Sequence, residues 1–395
     1  MIFQTLDDKQ QCVGVYTDGK LYFDEFPSDL SKTWKYSASI ENKDIEYAWI
    51  QCGGLSLGMA APEDLKEELS GASKKFAAYL KSFELGKIDL REHCIFDLIP
   101  KDFLMQYCEI KNKITAHVFE NYEKPSNYEY LKEASKILYK IKYQDVKIDN
   151  TNCNNLFLRS ITRKDAQKML NGPKYIDYDL FGTVTGRLTT RPKSVPILTM
   201  KKELRQLIKP RNDWFLSLDY NGAEVRTLLA LSGMPQPKDD VHDWNLQHVI
   251  KRSDIHREEA KTIFFSWLYN PDSKTINTDY YDRKKVLDQY YESGYINTVF
   301  GRKIQVDERK AFNYLIQSTT ADLVIERALA IDKFLQGRKS FISHIVHDEL
   351  VIDLDDSERE IVTEIRDIFS DNKLGKFLVN LQAGKNYYDL NELRI

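Results

Sequence analysis

Two carboxylates more than a hundred residues apart, and one helical face of cations and aromatic rings, are the parts of this chain best suited to chemistry. Asp219 ends the apolar run Trp214-Phe215-Leu216-Ser217-Leu218 and is followed by Tyr220 and the breaker pair Asn221-Gly222. A carboxylate at the end of a buried strand, ahead of a turn, is a common place for a metal ligand, and it can equally cap a helix. Asp348 sits in His347-Asp348-Glu349, flanked by β-branched, roughly alternating residues that read as two strands of a hairpin with the triplet at the turn. Adjacent carboxylates repel. They are reconciled with buried strands if a divalent cation draws them in; an exposed acidic turn is the alternative.

Arg257, Lys261, Phe265 and Tyr269 recur every four residues. On a helix of 3.6 residues per turn that spacing drifts by about 40° per step, so two cations and two rings share one oblique face. Cations can hold a triphosphate and a ring can stack on a base or sugar. The alternative is an ordinary charged face, but Ile263, Phe264 and Leu268 already supply the apolar side. Arg309, Asn313 and Gln317 repeat the spacing on a further helix, with groups suited to a nucleic acid backbone or minor groove. Between Arg187 and Arg211 stand eight basic residues and one acidic residue, Glu203, within a chain of net charge −3. That local excess marks a surface facing a polyanion.

These residues need a folded scaffold, and the chain can supply one. It has 395 residues, 30% of them charged and 42% hydrophobic, enough for two or three packed units. A net charge near zero argues against a protein that coats nucleic acid, though not against basic clefts. No apolar run approaches the length of a membrane span and no signal peptide is evident, so a cytoplasmic location is expected, in the host if the chain is phage-encoded. Cys12, Cys52, Cys94, Cys108 and Cys153 form no C-x-x-C pair and are odd in number, so reduced thiols without structural zinc are expected. All five fall early in the chain, which suggests a separate N-terminal unit.

The patterns predict a hairpin over 12–23 with Asp18-Gly19 at its turn, a strand over 47–51 and helices over 62–82, 101–120 and 128–142. The lysines of the last two helices (Lys111, Lys113, Lys132, Lys136, Lys140, Lys142) fit a solvated face or a surface tracking phosphates. Asp24 and Glu25 read as solvated surface. Further on, the patterns give a strand over 214–220, a helix over 223–231 carrying Glu224 and Arg226, a turn and strand over 294–302, the hairpin over 341–353 and a helix over 357–369.

In this order the motifs resemble those of the polymerase domain of family A DNA polymerases. The family's T-G-R-L element is similar to Thr185-Gly186-Arg187-Leu188, and its D-Y-x-x-x-E-x-R motif to the stretch from Asp219 to Arg226. The fingers pattern R-x3-K-x3-F/Y-x3-Y is similar to Arg257, Lys261, Phe265 and Tyr269, the R-x3-N-x3-Q helix to Arg309, Asn313 and Gln317, and H-D-E to His347-Asp348-Glu349. The likeness runs from about Tyr175 to the C-terminus. Five motifs in family order are far more specific than any one.

The resemblance implies an α+β right hand of palm, fingers and thumb with an antiparallel palm sheet. The domains expected are a small mixed one over 1–95, a helical thumb-like region over 96–174 and palm plus fingers over 175–395, with the fingers about 236–293. It implies primer-template DNA and dNTPs as partners and two Mg²⁺ ions held by Asp219, Asp348 and the Tyr220 carbonyl, with Glu349 and Lys261 in the catalytic set. Arg257, Lys261 and His242 would contact the triphosphate, Phe265 and Tyr269 the nucleotide, and Glu224 would exclude a 2′-hydroxyl. Arg187, Arg226, Arg309, Asn313, Gln317 and His347 would contact DNA. A replisome could add a separate exonuclease, a helicase-primase and a clamp or other processivity factor.

There are departures. Asn270 follows Tyr269 where the family has Gly, the stretch between Tyr269 and Tyr295 is short, and Leu198 replaces a customary Arg. The thumb has little room after Asp149, so the helices over 101–142 are expected to serve as one. A proofreading exonuclease needs D-x-E on a strand; Phe23-Asp24-Glu25-Phe26 lacks the spacer, so no 3′→5′ exonuclease is expected. The compactness points to a phage or other mobile element. Two other readings stay open: a single-subunit RNA polymerase, against which Glu224 speaks, and an inactive DNA-binding replication subunit, against which the intact Asp219, Asp348, Arg257 and Lys261 speak.

Overall fold

The computed structural model describes residues 1–7, 12–23, 25–37, 44–90 and 92–394, so Asp24 lies outside the described residues. The chain separates into two compact units, Met1–Tyr139 and Lys140–Ile395.

In the first unit β1 (Gln4–Thr5), β2 (Val15–Thr17) and β3 (Lys20–Tyr22) form an antiparallel meander. Asp18 and Gly19 both take positive φ, as a two-residue primed turn requires. Three long helices follow: α1 (Glu63–Leu85), α2 (Lys101–Asn121) and α3 (Tyr128–Tyr143), and the division between the units falls within α3. The apolar stripe of α2, Phe103, Leu104, Ile110, Ile114 and Val118, joins Trp34, Leu69 and Phe83 in one core. The compact first unit runs to Tyr139, and α2 packs as part of it.

Two expectations are corrected. The strand over 47–51 is only Glu46–Tyr47, followed by a helical turn at Ala48–Gln51, an ambiguity that short apolar runs always carry. Cys12 and Cys94 are disulfide-bonded, while Cys52, Cys108 and Cys153 are free and buried. The fold brings two Cα atoms 82 positions apart to within 5.7 Å, a closure that spacing along the chain does not reveal.

The second unit is built on a five-stranded antiparallel sheet. Its central strand is β4 (Trp214–Tyr220). After β4 come α4 (Ala223–Leu231), α5 (Val241–Asn245), α6 (Arg257–Tyr269) and α7 (Glu308–Phe334). The hairpin β5 (Phe341–Val346) and β6 (Glu349–Leu354) follows, then α8 (Val362–Ser370), β7 (Val379–Gly384) and β8 (Asn391–Glu392). The spatial order is β5-β6-β4-β7-β8. Leu216, Leu218 and Tyr220 are buried on one face of β4, where the Tyr220 ring stacks on Phe369 of α8 at 4.2 Å. Period-two alternation leaves Ser217 and Asp219 on the other face. Val225, Leu228 and Leu229 of α4, Phe264, Trp267 and Leu268 of α6, and Phe312 and Leu315 of α7 share a second core. With those α6 residues turned inward, the Arg257/Lys261/Phe265/Tyr269 face is left for the cleft.

Leu218, at 0% exposure on the central strand, reports on this sheet. Leu218→Ala should cost about 2–5 kcal/mol in urea unfolding, and a loss below about 1 kcal/mol would contradict the packing described.

Candidate active site

The register of the sheet assembles the site. Across β4 and β6, Asp219 is the partner of Glu349, which places the preceding turn residue Asp348 beside the end of β4. That turn holds His347 at φ +57°, the left-handed region, which costs a non-glycine residue of order 1 kcal/mol and is tolerated where the surroundings fix it. A cavity of about 570 Å³ is lined by Arg187, Asp219, Tyr220, Glu224, His242, Arg257, Lys261, Phe265, Tyr269, His347 and Asp348. Side chains from five stretches of sequence thus meet in one place.

The electrostatics follow from burial and like charge. Burial, the Asp348 carboxylate and Glu349 together push the Asp219 carboxyl up to about 7, against relief from an Asn380 hydrogen bond and Lys261. Burial also raises Asp348, partly offset by its own backbone N–H, His347 and Arg187. Burial and the neighbouring Arg257 guanidinium lower His242 to about 4, so it stays neutral at neutral pH. Glu224 is raised by burial, offset by hydrogen bonds it accepts from the Tyr269 hydroxyl and Arg187. Tyr269 and Phe265 stack with centroids 5.9 Å apart, and Phe265 lies 6.0 Å from the His242 ring.

Several expected residues lie elsewhere. Arg226 is not a DNA contact: it is fully buried, and its guanidinium donates to the carbonyls of Asn221, Pro237 and Asp239 and to Asn221 Oδ1. Its spacing after Glu224 turns it inward, where it ties the loop after α4 to the end of β4. Glu349 does not line the 570 Å³ cavity. It accepts from Ser217 Oγ at 2.6 Å and Tyr387 OH at 2.7 Å and, with Asp219, borders a larger groove of about 1520 Å³. Arg309, Asn313 and Gln317 also lie outside the cavity lining. Arg309 pairs with Asp272, and Asn313 Nδ2 donates to the Tyr269 carbonyl at 3.1 Å, so this part of α7 is bonded to the C-terminal end of α6.

Other residues were missed by the sequence reading. Asn380, from β7, bonds to Asp219. Arg302 forms a buried two-point bridge to Asp322, at 2.9 and 2.6 Å, and its guanidinium fills the space where a side chain at Gly186 would go. Gly186 has φ +76°, so both conformation and space require glycine immediately before Arg187. The Thr-Gly-Arg pattern hinted at the glycine; nothing hinted at its neighbour.

Among the described residues no cluster of three or more His, Cys, Asp or Glu side chains could hold a metal. Mg²⁺ does not need one, since it is usually bound through one or two carboxylates, with water and substrate phosphates completing the octahedron. Two facing carboxylates with raised proton affinity, plus the expected Tyr220 carbonyl, fit that ion.

A family model described as DNA polymerase family A matches residues 278–389, which include α7 and the β5–β6 hairpin. The thermostable DNA polymerase I of Thermus filiformis is 26% identical over 252 residues, 48% of this chain and 29% of that protein. The chain is a relative of the family A DNA polymerases. The DNA polymerase of Mycobacterium phage D29 is also similar, 28% identical over 173 residues, 35% of this chain and 28% of its own length. Each match spans less than a third of the relative. The fold is similar to a solved structure described as the POL domain of Pol1 from M. smegmatis in complex with DNA primer-template and dNTP. The TM-score is 0.55 at 13% identity, covering 76% of this chain and 78% of that one. The α+β fold of that polymerase domain, with its antiparallel sheet, is therefore shared over the matched part of the chain.

The raised Asp219 carboxyl gives a stability prediction with a definite sign. An acid whose folded pKa exceeds its unfolded one keeps its proton in the fold, so it opposes folding increasingly as pH rises from the ordinary carboxylate range to about 7. In EDTA, Asp219→Asn should raise the urea midpoint at pH 8 by more than at pH 5. Equal changes at both pH values would show that Asp219 is not held in this environment.

Proposed function

We propose that this chain is a template-directed DNA polymerase that adds deoxynucleotides to a primer 3′-hydroxyl. The observation that carries the reading is the single cavity in which Asp219 and Asp348 meet the Arg257, Lys261, Phe265 and Tyr269 side of α6. Asp219, Asp348 and the Tyr220 carbonyl would hold two Mg²⁺ ions. Those ions, when bound, supply the charge neutralisation and the lowered hydroxyl pKa that phosphoryl transfer requires.

The chain's own residues do the positioning. Arg257 and Lys261 bind the triphosphate, while neutral His242 offers a hydrogen bond without adding charge. Phe265 stacks on the incoming nucleotide. Glu224, held from two sides by Tyr269 and Arg187, walls the pocket where a 2′-hydroxyl would enter. Arg187 lines the same cavity and reaches the primer end, where minor-groove acceptors are common to all base pairs. His347, exposed at the turn beside Asp348, lies ready for the primer terminus. Glu349 braces the hairpin through Ser217 and Tyr387.

The proposal extends to the absence of 3′→5′ exonuclease activity. Its support is the sequence Phe23-Asp24-Glu25-Phe26, which lacks the spacer of D-x-E. A separate exonuclease, a helicase-primase and a processivity factor are proposed partners.

Primer extension with dNTPs or NTPs and Mg²⁺ tests the reading; no extension with either would end it. Asp219→Asn and Asp348→Asn should each reduce extension by about 10²-fold or more while primer-template binding is retained. Glu224→Ala should lower the preference for dNTPs over NTPs by about tenfold or more, and an unchanged ratio would remove Glu224 from that role.

A further inference from the structure

Arg257 is already engaged. Its Nε and Nη2 donate to Asp240 Oδ1 and Oδ2 at 3.1 and 2.7 Å, a two-point bridge that a guanidinium can form and an ammonium cannot. Asp240 is itself fixed. Asn221 Nδ2 donates to its Oδ2 at 2.6 Å, and the backbone N–H groups of His242 and Asp243 donate to its Oδ1 at 2.9 and 3.0 Å, capping α5. Burial raises the Asp240 carboxyl, but the bonds from Arg257, Asn221 and Asp243 outweigh it and hold the group far below the usual carboxylate range.

Asn221 is bound on its other side too. Its Oδ1 accepts from Val241 N at 2.8 Å and Arg226 Nη2 at 3.1 Å, and its N–H donates to the Leu378 carbonyl at 3.0 Å. An unbroken run of hydrogen bonds therefore links the residue two positions after Asp219 to the cation on α6. The remaining nitrogen of Arg257, Nη1, bonds to Glu258, whose side chain is 75% exposed. Exposed pairs of this kind contribute little and exchange readily. Arg257 lines the 570 Å³ cavity and Asp240 does not.

We propose that Asp240, anchored by Asn221, is a positioning residue that fixes which edge of Arg257 meets the incoming triphosphate. The Nε/Nη2 edge stays on Asp240, and a phosphate oxygen takes Nη1 by displacing Glu258. The distance from the Asp219 carboxylate to the phosphate clamp is then set by side-chain bonds and does not depend on backbone packing alone. The proposal rests on the nucleotide-binding reading of this cavity.

The test uses the full chain on a primer-template whose primer ends in a 2′,3′-dideoxynucleotide, with Mg²⁺, so that the next dNTP binds without turnover. Asp240→Asn should raise the dNTP Kd about tenfold, with primer-template affinity and thermal midpoint close to wild type. In an Arg257→Ala background the same substitution should add almost nothing, because Asp240 acts through Arg257. On an extendable primer, KM for dNTP should rise more than kcat falls. Glu258→Gln should bind dNTP at least as tightly as wild type. An unchanged Kd in Asp240→Asn, additive losses in the double variant, or weaker binding by Glu258→Gln would each overturn the proposal. Wild-type protein that binds no dNTP would overturn the polymerase reading as well, which separates the two failures.

Discussion

The pairing of β4 with β6 is the constraint on which everything else depends. It puts Asp219 opposite Glu349 and therefore Asp348 next to Asp219, an arrangement two carboxylates would not adopt unaided. The register cannot slip. Leu216 and Leu218 are fully buried on the other face of β4, and a one-residue shift would drive the Asp219 carboxylate into that apolar core. β7 holds β4 from its second side over Phe215–Tyr220, so the carboxylate strand is clamped between two partners. The sheet's apolar energy thus fixes a local electrostatic conflict, which a bound cation would relieve.

The second wall of the cavity uses the same division of labour. On α6, Phe264, Trp267 and Leu268 enter a core shared with α4 and α7, and their burial orients the polar and aromatic face. Packing alone fixes a helix but not the tips of long side chains. Those are set by hydrogen bonds: Tyr269 and Arg187 on Glu224, Arg257 on Asp240, and Asp240 on Asn221. Preorganisation of this kind keeps charged groups aimed while they wait for a ligand.

Much of this could be read from the sequence where periodicity and burial agree. β4 and α4 fall on the residues their patterns predict, and the hairpin strands flank the His347-Asp348 turn as expected. Local patterns could not show what long-range closure decides. Arg226 has the composition of a surface residue and becomes a buried tie because four acceptors converge on it. Asn221 reads as a strand breaker, and its role as a junction appears only once residues 240 and 241 fold back to it. The Cys12–Cys94 pairing and the inclusion of α2 in the first unit are likewise products of tertiary contact. The motif order carried the family reading further than spacing alone could, because each motif is weak and their sequence is not.

Equilibrium binding of Mn²⁺, followed by its paramagnetic resonance signal, tests the central claim most directly. The protein would be held on a dideoxy-terminated primer-template with the next dNTP present. If Asp219 and Asp348 act as one site, Asp219→Asn and Asp348→Asn should each lose the same bound ions that the wild type retains. Wild-type occupancy in either single variant would show that the two carboxylates, though brought together by the sheet, do not share a metal.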